Sequence, residues 1–426
     1  MFKEIIEFIK QKKSLITNFR NAGLYFFGSI IHSIFAVIAQ PIYSLHLSAS
    51  DFGIIGYFEA IKQVFTPIFI FSMTSVYLMK YFKQSIEDNK KLLFNITFYL
   101  CCFNTVLILI GYLFIYMYFN YMNVNIPLNP FAFYILIALL LDNIKSIVLI
   151  NFRIRKKALS FFTFSVINSA LNLGLGLLFV AYFKWGVGGR MLAPIVSIFL
   201  MLPFAIYILR KYTKINFDFK IFLNTAKVAF PLVIAAYAFV PITNIDRFFL
   251  ERLNNLSELG LYNIGITIAS YVQLGYTAIA LAFEPDIFKS VANKNNKKLF
   301  QIALAMFLPY FIFLFIYMFF SENIISILTS GRYVAAEEYT NIALFGVFLM
   351  GIYWFFNKVF IALGKTKLNL YVNVFGGISA FIIMYFAVSN FSYIGAAYGK
   401  VLIAAVMVIT SAFLAIKFLK KQQITL

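Results

Sequence analysis

The stretch Ser50-Asp51-Phe52-Gly53 recurs as Ser257-Glu258-Leu259-Gly260, about half a chain length further along the 426 residues. A second pair, Gly186-Val187-Gly188 and Gly395-Ala396-Ala397, keeps nearly the same separation. In each case a long apolar segment ends, the chain turns at glycine, and another apolar segment begins. This pattern predicts two copies of one membrane unit, and membrane proteins built in this way are often transporters whose site lies between the copies.

Composition supports a chain that is mostly surrounded by lipid. Hydrophobic residues make up 62% of the sequence and charged residues only 12%, too few to cover a soluble protein of this size. The net charge of +20 at first suggests a nucleic-acid-binding protein, but the basic residues form short clusters between apolar runs. That placement is typical of cytoplasmic loops, so we expect membrane lipids and no nucleic acid as partners.

Crossing a hydrocarbon core of about 30 Å takes about 20 helical residues, and twelve segments meet that requirement. They are 22–47, 52–80, 92–120, 131–150, 160–183, 186–209, 226–250, 257–283, 299–320, 338–362, 368–388 and 391–416. The sequence therefore predicts an all-α polytopic membrane protein with twelve transmembrane helices.

Alternate connections between these segments differ strongly in charge. One set, which includes both chain ends, holds 27 Lys and Arg residues, and the other set holds 5. The positive-inside rule then puts both termini in the cytoplasm and both Ser-acidic-apolar-Gly turns outside. Six helices precede and six follow the polar stretch near residue 215. We expect two lobes, 1–215 and 216–426. They should be parallel repeats, because an even number of spans in the first lobe makes the second lobe begin on the same side of the membrane.

Four charged residues in the second and fourth segments are candidates for a site. Glu59 and Lys62 lie three residues apart, as do Asp142 and Lys145. This spacing puts each pair on one helix face, where the partners neutralise each other. A cavity role and a self-compensated pair that fixes packing explain these residues equally well. Glu59 and Asp142 are also candidate ion-coupling residues.

Other cations lie within or near the membrane without an acidic neighbour. Lys358 and Lys400 have no carboxylate within one helical turn, so each needs a distant partner, a wet cavity or an anionic ligand. Lys358 is near a helix end and is able to snorkel, and Arg190 near another end is placed to contact headgroups. His32 on the first helix is a candidate for a ligand contact or for a polar contact between helices.

The remaining polar groups give little basis for catalysis. His32 and His46 offer no metal-ligand spacing, and there is no glycine-rich phosphate loop or hydrolase motif. Asp246 and Arg247, with Glu251 one turn further, are explained by a local ion pair. We expect no catalytic residue, no metal and no cofactor, and a protein that is not an enzyme.

Several stretches, in this order, resemble polysaccharide flippases of the Wzx type in the multidrug/oligosaccharidyl-lipid/polysaccharide (MOP) exporter superfamily. They are the two turns above, Asp246-Arg247-Phe248-Phe249-Leu250, Glu284-Pro285, Gly364-Lys365-Thr366-Lys367 and Tyr393-Ile394-Gly395-Ala396-Ala397-Tyr398-Gly399. The resemblance implies a MATE-like fold in which two six-helix lobes face a central cavity. It also implies the bacterial cytoplasmic membrane as location.

The cargo implied by the resemblance is an undecaprenyl-diphosphate-linked oligosaccharide, carried from the inner to the outer leaflet by alternating access. Other glycan-assembly proteins, such as a polymerase or a chain-length regulator, are the implied partners. A diphosphate needs a cationic cavity to cross hydrocarbon. Candidate substrate-binding residues are Lys62, Lys400, Arg190, Lys358 and His32. The alternatives are a cation-coupled small-molecule exporter of the same superfamily and a membrane glycan polymerase or ligase.

Overall fold

A computed structural model describes residues 2–365 and 367–424, with side chains for residues 20–277, 279–280, 282–365 and 367–420. In this part of the chain every regular element is a helix. The N-terminal half contains α1 Phe2–His46, α2 Ala49–Ile70, α3 Met73–Tyr81, α4 Ile86–Met122, α5 Phe131–Ile154, α6 Ala158–Leu177 and α7 Gly186–Tyr212. The C-terminal half contains α8 Phe219–Glu251, α9 Leu256–Ala292, α10 Asn296–Phe319, α11 Ser321–Thr329, α12 Glu337–Ala362 and α13 Lys367–Ile424.

The number of membrane spans depends on how two bent helices are counted. Ten helices of the described chain are long and apolar enough to cross, or eleven with the bent α9. However, α13 has 58 residues and contains one non-helical residue, Ser392, with φ 55° and ψ −134°. Divided there, it gives two segments that are each longer than a span requires. The described helices then give twelve spans, which confirms the predicted all-α polytopic membrane fold.

One span is interrupted in a way that the sequence does not indicate. Phe71 and Ser72 have φ values of 49° and 48°, which separate α2 from α3. The break leaves the carbonyl oxygen of Phe69 available to other donors. The side-chain amides of Asn104 in α4 and Asn143 in α5 both donate to it. A polar group freed inside the membrane is thus satisfied by neighbouring helices.

Local capping explains where α2 and α9 begin. Ser48 precedes α2, and its hydroxyl accepts a hydrogen bond from the Asp51 amide while the Asp51 carboxylate accepts one from the Ser48 amide. Asn255 caps α9 by accepting from the amide of Glu258. The acidic residue of each repeated turn therefore lies in the first turn of a helix, where the helix dipole favours a negative charge.

The two repeated turns touch each other, which defines one end of the bundle, called here the turn end. The hydroxyls of Ser50 and Ser257 are 2.9 Å apart. Gly53 lies against the carbonyl oxygen of Leu256, and Gly260 lies against that of Ala49 so closely that a β-carbon would overlap it. Helices α2 and α9 therefore cross backbone to backbone, as glycine allows between membrane helices.

Further hydrogen bonds join the two halves around this crossing. The Asn125 amide donates to the side chain of Asn254 at 2.7 Å, and the Arg252 guanidinium donates to the Met122 carbonyl at 2.7 Å. Arg332, between α11 and α12, donates to the Leu45 carbonyl at 2.6 Å, at the end of α1. The turn end is closed by these contacts.

The predicted boundary between the two lobes, at residues 215 and 216, falls in the connection between α7 and α8. The relation of the two lobes as parallel repeats stays a prediction.

Replacement of Gly260 by Ala should open the turn end. The added methyl overlaps the Ala49 carbonyl, so α2 and α9 must separate, although Gly→Ala in an uncrowded helix stabilises by roughly 1 kcal/mol. We expect less disulfide cross-linking between cysteines at Ser50 and Ser257, in a chain with Cys101 and Cys102 changed to Ser. Gly275→Ala, in the same helix, is the control, because a β-carbon at this position meets no neighbouring atom of the described residues within 4 Å. Equal cross-linking in Gly260→Ala and the control contradicts the close contact.

Candidate functional site

A cavity of about 450 Å³ lies between the two halves. Helices α1, α2, α5, α6 and α7 line it from the N-terminal half, and α8 and α9 line it from the C-terminal half. Its described lining includes His32 and the charged residues Glu59, Lys62, Asp142, Lys145, Arg190 and Arg247. The site therefore brings together charged residues that are far apart in sequence.

Asp142 stands between two lysines on one wall. Its carboxylate accepts from Lys145 Nζ at 2.5 Å within α5, and Lys62 Nζ of α2 lies 3.3 Å from the other oxygen. The predicted Asp142–Lys145 pair is thus present. Lys62, however, is within ion-pair distance of Asp142 in the neighbouring helix α5, whereas no oxygen of Glu59 lies within 4.0 Å of its ammonium. Glu59 lines the cavity with no ion pair among the residues whose side chains are described.

Arg190 enters the cavity from the first turn of α7. Its guanidinium carbon lies 4.5 Å from the centre of the Tyr43 ring, a cation–π contact. No carboxylate lies within 4.0 Å of it in the described part of the chain. Its positive charge is therefore held by an aromatic face and is without an ion pair among the described residues. His32 of α1 lines the same cavity and also a smaller pocket beside Tyr43.

In the C-terminal half, Asp246 of α8 contacts several polar partners. Its side chain is 1% exposed and accepts hydrogen bonds from Tyr262 at 2.6 Å and from Lys400 Nζ at 2.9 Å. Arg247 Nη1 lies 3.2 Å from the same oxygen. Arg247 reaches the cavity, whereas Lys400 of α13 stands behind it and is not among the lining residues.

Lys358 also lies outside the cavity. Its ammonium pairs with Glu284 of α9 at 2.6 Å, which supplies the distant partner that the sequence required. Glu251, expected beside Arg247, instead lies 3.8 Å from Arg252. The structure thus brings the candidates Lys62, Arg190, His32, Glu59 and Asp142 together around one cavity. It keeps Lys358 and Lys400 away from the cavity wall.

Sequence reasoning missed several lining residues. A local ion pair accounted for Arg247 in the sequence, and pairing with Asp142 accounted for Lys145. The wall also carries uncharged amides, namely Gln40, Gln63, Asn168, Asn172, Asn244 and Asn263. Amides one turn apart within an apolar helix, such as Asn168 and Asn172 in α6, were a usable signal because unpaired amides in lipid are costly.

The charges of the described lining residues do not cancel. Lys62, Lys145, Arg190 and Arg247 are opposed by Glu59 and Asp142, which leaves an excess of two positive charges with His32 neutral. Each charge within a membrane costs roughly 2.5–3.5 kcal/mol on insertion scales. Such an excess is therefore unfavourable unless water or an anion occupies the cavity. Among the described residues, no cluster of three His, Cys, Asp or Glu side chains is suited to a metal.

Comparison with known proteins agrees with this architecture. The MatE family model matches residues 231–386. The structure of the lipid II flippase MurJ in an inward closed conformation is similar with a TM-score of 0.72 and 16% identity, over 92% of this chain and 87% of that chain. The chain has the fold of MurJ and of the MATE transporters. No curated protein sequence gives a significant match.

Two MATE structures extend the comparison. An inward-facing multidrug resistance MATE family transporter of the MOP superfamily gives a TM-score of 0.71 at 14% identity, covering 92% of this chain and 96% of that one. The Vibrio cholerae MATE transporter VcmN in its bent form gives 0.55 at 15% identity, covering 96% of this chain and 97% of that one. At these identities the likeness establishes the fold and leaves the cargo open.

Asp142→Asn should lower the free energy of unfolding. The change leaves Lys62 and Lys145 facing each other without their shared carboxylate. We expect a loss of roughly 1–3 kcal/mol, less than for a fully buried pair because the Asp142 side chain is 26% exposed. Thermal unfolding of the purified protein in detergent measures it.

Glu59→Gln is the matched control, since it removes a cavity carboxylate that has no ion pair among the described side chains. It should change the unfolding temperature less than Asp142→Asn does. A protein that tolerates Asp142→Asn but is destabilised by Glu59→Gln contradicts the assignment of Asp142 as the shared counter-ion.

Proposed function

We propose that the protein is a flippase that moves an undecaprenyl-diphosphate-linked oligosaccharide across the bacterial cytoplasmic membrane, from the inner to the outer leaflet. The observation that carries the proposal is the excess of two positive charges in the cavity between the halves. A diphosphate joined to lipid on one side and sugar on the other carries one negative charge on each phosphate. Cavity and cargo head are therefore opposite and equal in charge.

The physics of transfer supports the same class of cargo. A diphosphate and a glycan cannot enter hydrocarbon without losing water that must be replaced by polar partners. Basic side chains replace it for the phosphates, and the Asn and Gln side chains of the wall offer donors and acceptors to sugar hydroxyls. Similarity in fold to a lipid II flippase supports a lipid-linked cargo.

The alternative is a cation-coupled exporter of the MOP superfamily, and one observation favours it. Glu59 lines the cavity without an ion pair among the described side chains, and His32 lines the same space. A carboxylate in this position is suited to bind a proton or a metal cation during transport. A net positive cavity nevertheless disfavours a cationic drug, so the flippase is preferred.

Deletion of the gene, in a strain without a redundant flippase, should remove surface glycan and leave lipid-linked repeat units on the inner leaflet. In the complemented strain, Arg190→Gln should lower surface glycan about tenfold at normal protein level, because it removes a cavity charge that no described carboxylate compensates. Lys358→Gln removes a positive charge outside the cavity and serves as the control.

Normal surface glycan in the clean deletion would exclude the flippase. The exporter predicts a different pattern: Glu59→Gln abolishes drug efflux driven by an ion gradient in reconstituted vesicles, while the deletion leaves glycan intact. Arg190→Gln and Lys358→Gln with equal effects would mean that the cavity charge does not contribute to transport.

A further inference from the structure

The cluster behind the C-terminal wall points to a specific role for Lys400. We infer that Lys400 is a positioning residue. It neutralises the Asp246 carboxylate, so that the positive charge of Arg247 remains available to an anionic ligand in the cavity. The inference rests on the proposed function, since it concerns how the same cavity holds an anion. In this role Lys400 does not need to touch the ligand.

The hydrogen bonds of Asp246 show why a second cation is needed. The carboxylate is almost fully buried and its Oδ2 atom accepts from Tyr262 and from Lys400. Lys400 Nζ also donates to the Thr243 carbonyl at 2.8 Å, one turn before Arg247. Lys400 is thus held at two points of α8. A buried carboxylate requires such a close counter-charge, because its desolvation is costly.

Arg247 is held in an orientation that leaves part of its guanidinium free. Its Nε donates to the Asn263 side chain at 3.0 Å, and its Nη1 donates to the Thr243 carbonyl at 3.2 Å and to Asp246. Its Nη2 has no hydrogen-bond partner among the described residues, while the side chain lines the cavity. A planar guanidinium with free N–H groups is well suited to a phosphate oxygen.

The charge balance gives Lys400 its effect. With both cations present, one carboxylate faces two positive charges, and the cluster carries one net positive charge. Without Lys400, Arg247 is the one cation left within 4.0 Å of the buried carboxylate among the described side chains, and the cluster is neutral. An anion in the cavity then competes with Asp246 for the same guanidinium. Removal of Lys400 should weaken anion binding although Lys400 is not part of the cavity wall.

A double variant that lacks both the Asp246 carboxylate and the Lys400 ammonium distinguishes this positioning role from direct contact between Lys400 and the ligand. Asp246→Asn/Lys400→Met eliminates one negative and one positive charge and returns the cluster to one net positive charge on Arg247. Asn keeps the shape of Asp and still accepts from Tyr262. If Lys400 acts through Asp246, the double variant binds an anion again. If Lys400 touches the ligand, the double variant stays weak.

The experiment measures binding of undecaprenyl diphosphate to the full-length protein in lipid nanodiscs. We expect Lys400→Met to weaken binding about tenfold and the double variant to return to within about threefold of the unsubstituted protein. Lys358→Met, which removes a lysine paired with Glu284 away from the cavity, should bind normally. Should Lys400→Met fail to fold, the double variant is compared with the same variant carrying Arg247→Gln, which should lose binding.

Each outcome decides between defined alternatives. Unchanged affinity of Lys400→Met, or a double variant as weak as Lys400→Met, overturns the positioning role while the flippase proposal stands. Equal binding with and without Arg247→Gln in the double variant overturns it as well. Failure of the unsubstituted protein to bind undecaprenyl diphosphate overturns the flippase proposal, and the inference with it.

Discussion

The backbone contact between α2 and α9 is the constraint on which the site depends. Gly53 and Gly260 allow the two helices to cross without side chains between them. One turn further into the membrane, Gly56 leaves the space that the Asn263 side chain fills, and Asn263 accepts from Arg247. The crossing thus closes the turn end and at the same time orients a cation on the cavity wall directly below it.

Each half contains one carboxylate that two cations share. In the N-terminal half Asp142 is shared by Lys62 and Lys145, and in the C-terminal half Asp246 is shared by Arg247 and Lys400. One carboxylate for two cations fixes long basic side chains in place without cancelling their charge. Full pairing would leave the cavity with nothing to attract an anion, and a cation without any partner is costly to insert. Arg190, which has no carboxylate within 4.0 Å among the described residues, is held by the Tyr43 ring instead.

The fold was largely predictable because its signals are local. Apolar length, the charge of alternate loops and the two turns each depend on neighbouring residues, and the separate segments 368–388 and 391–416 anticipated the break at Ser392. The break at Phe71 was not predictable, because no glycine marks it. The Phe69 carbonyl is satisfied by Asn104 and Asn143, which reach it from other helices and are far from it in the sequence.

The types of residue at the site could be predicted from the sequence, but the ion pairs between residues of different helices could not. Intramembrane charge drew attention to Lys62, Asp142 and Lys400, but one sequence does not tell which helix faces which. Asp246 and Lys400 are 154 positions apart, so a local ion pair was the simplest explanation for Asp246. That explanation made Arg247 the partner of Asp246 and gave it no part in the cavity. Once Lys400 accounts for the carboxylate, Arg247 becomes the cation that the C-terminal half contributes to the cavity.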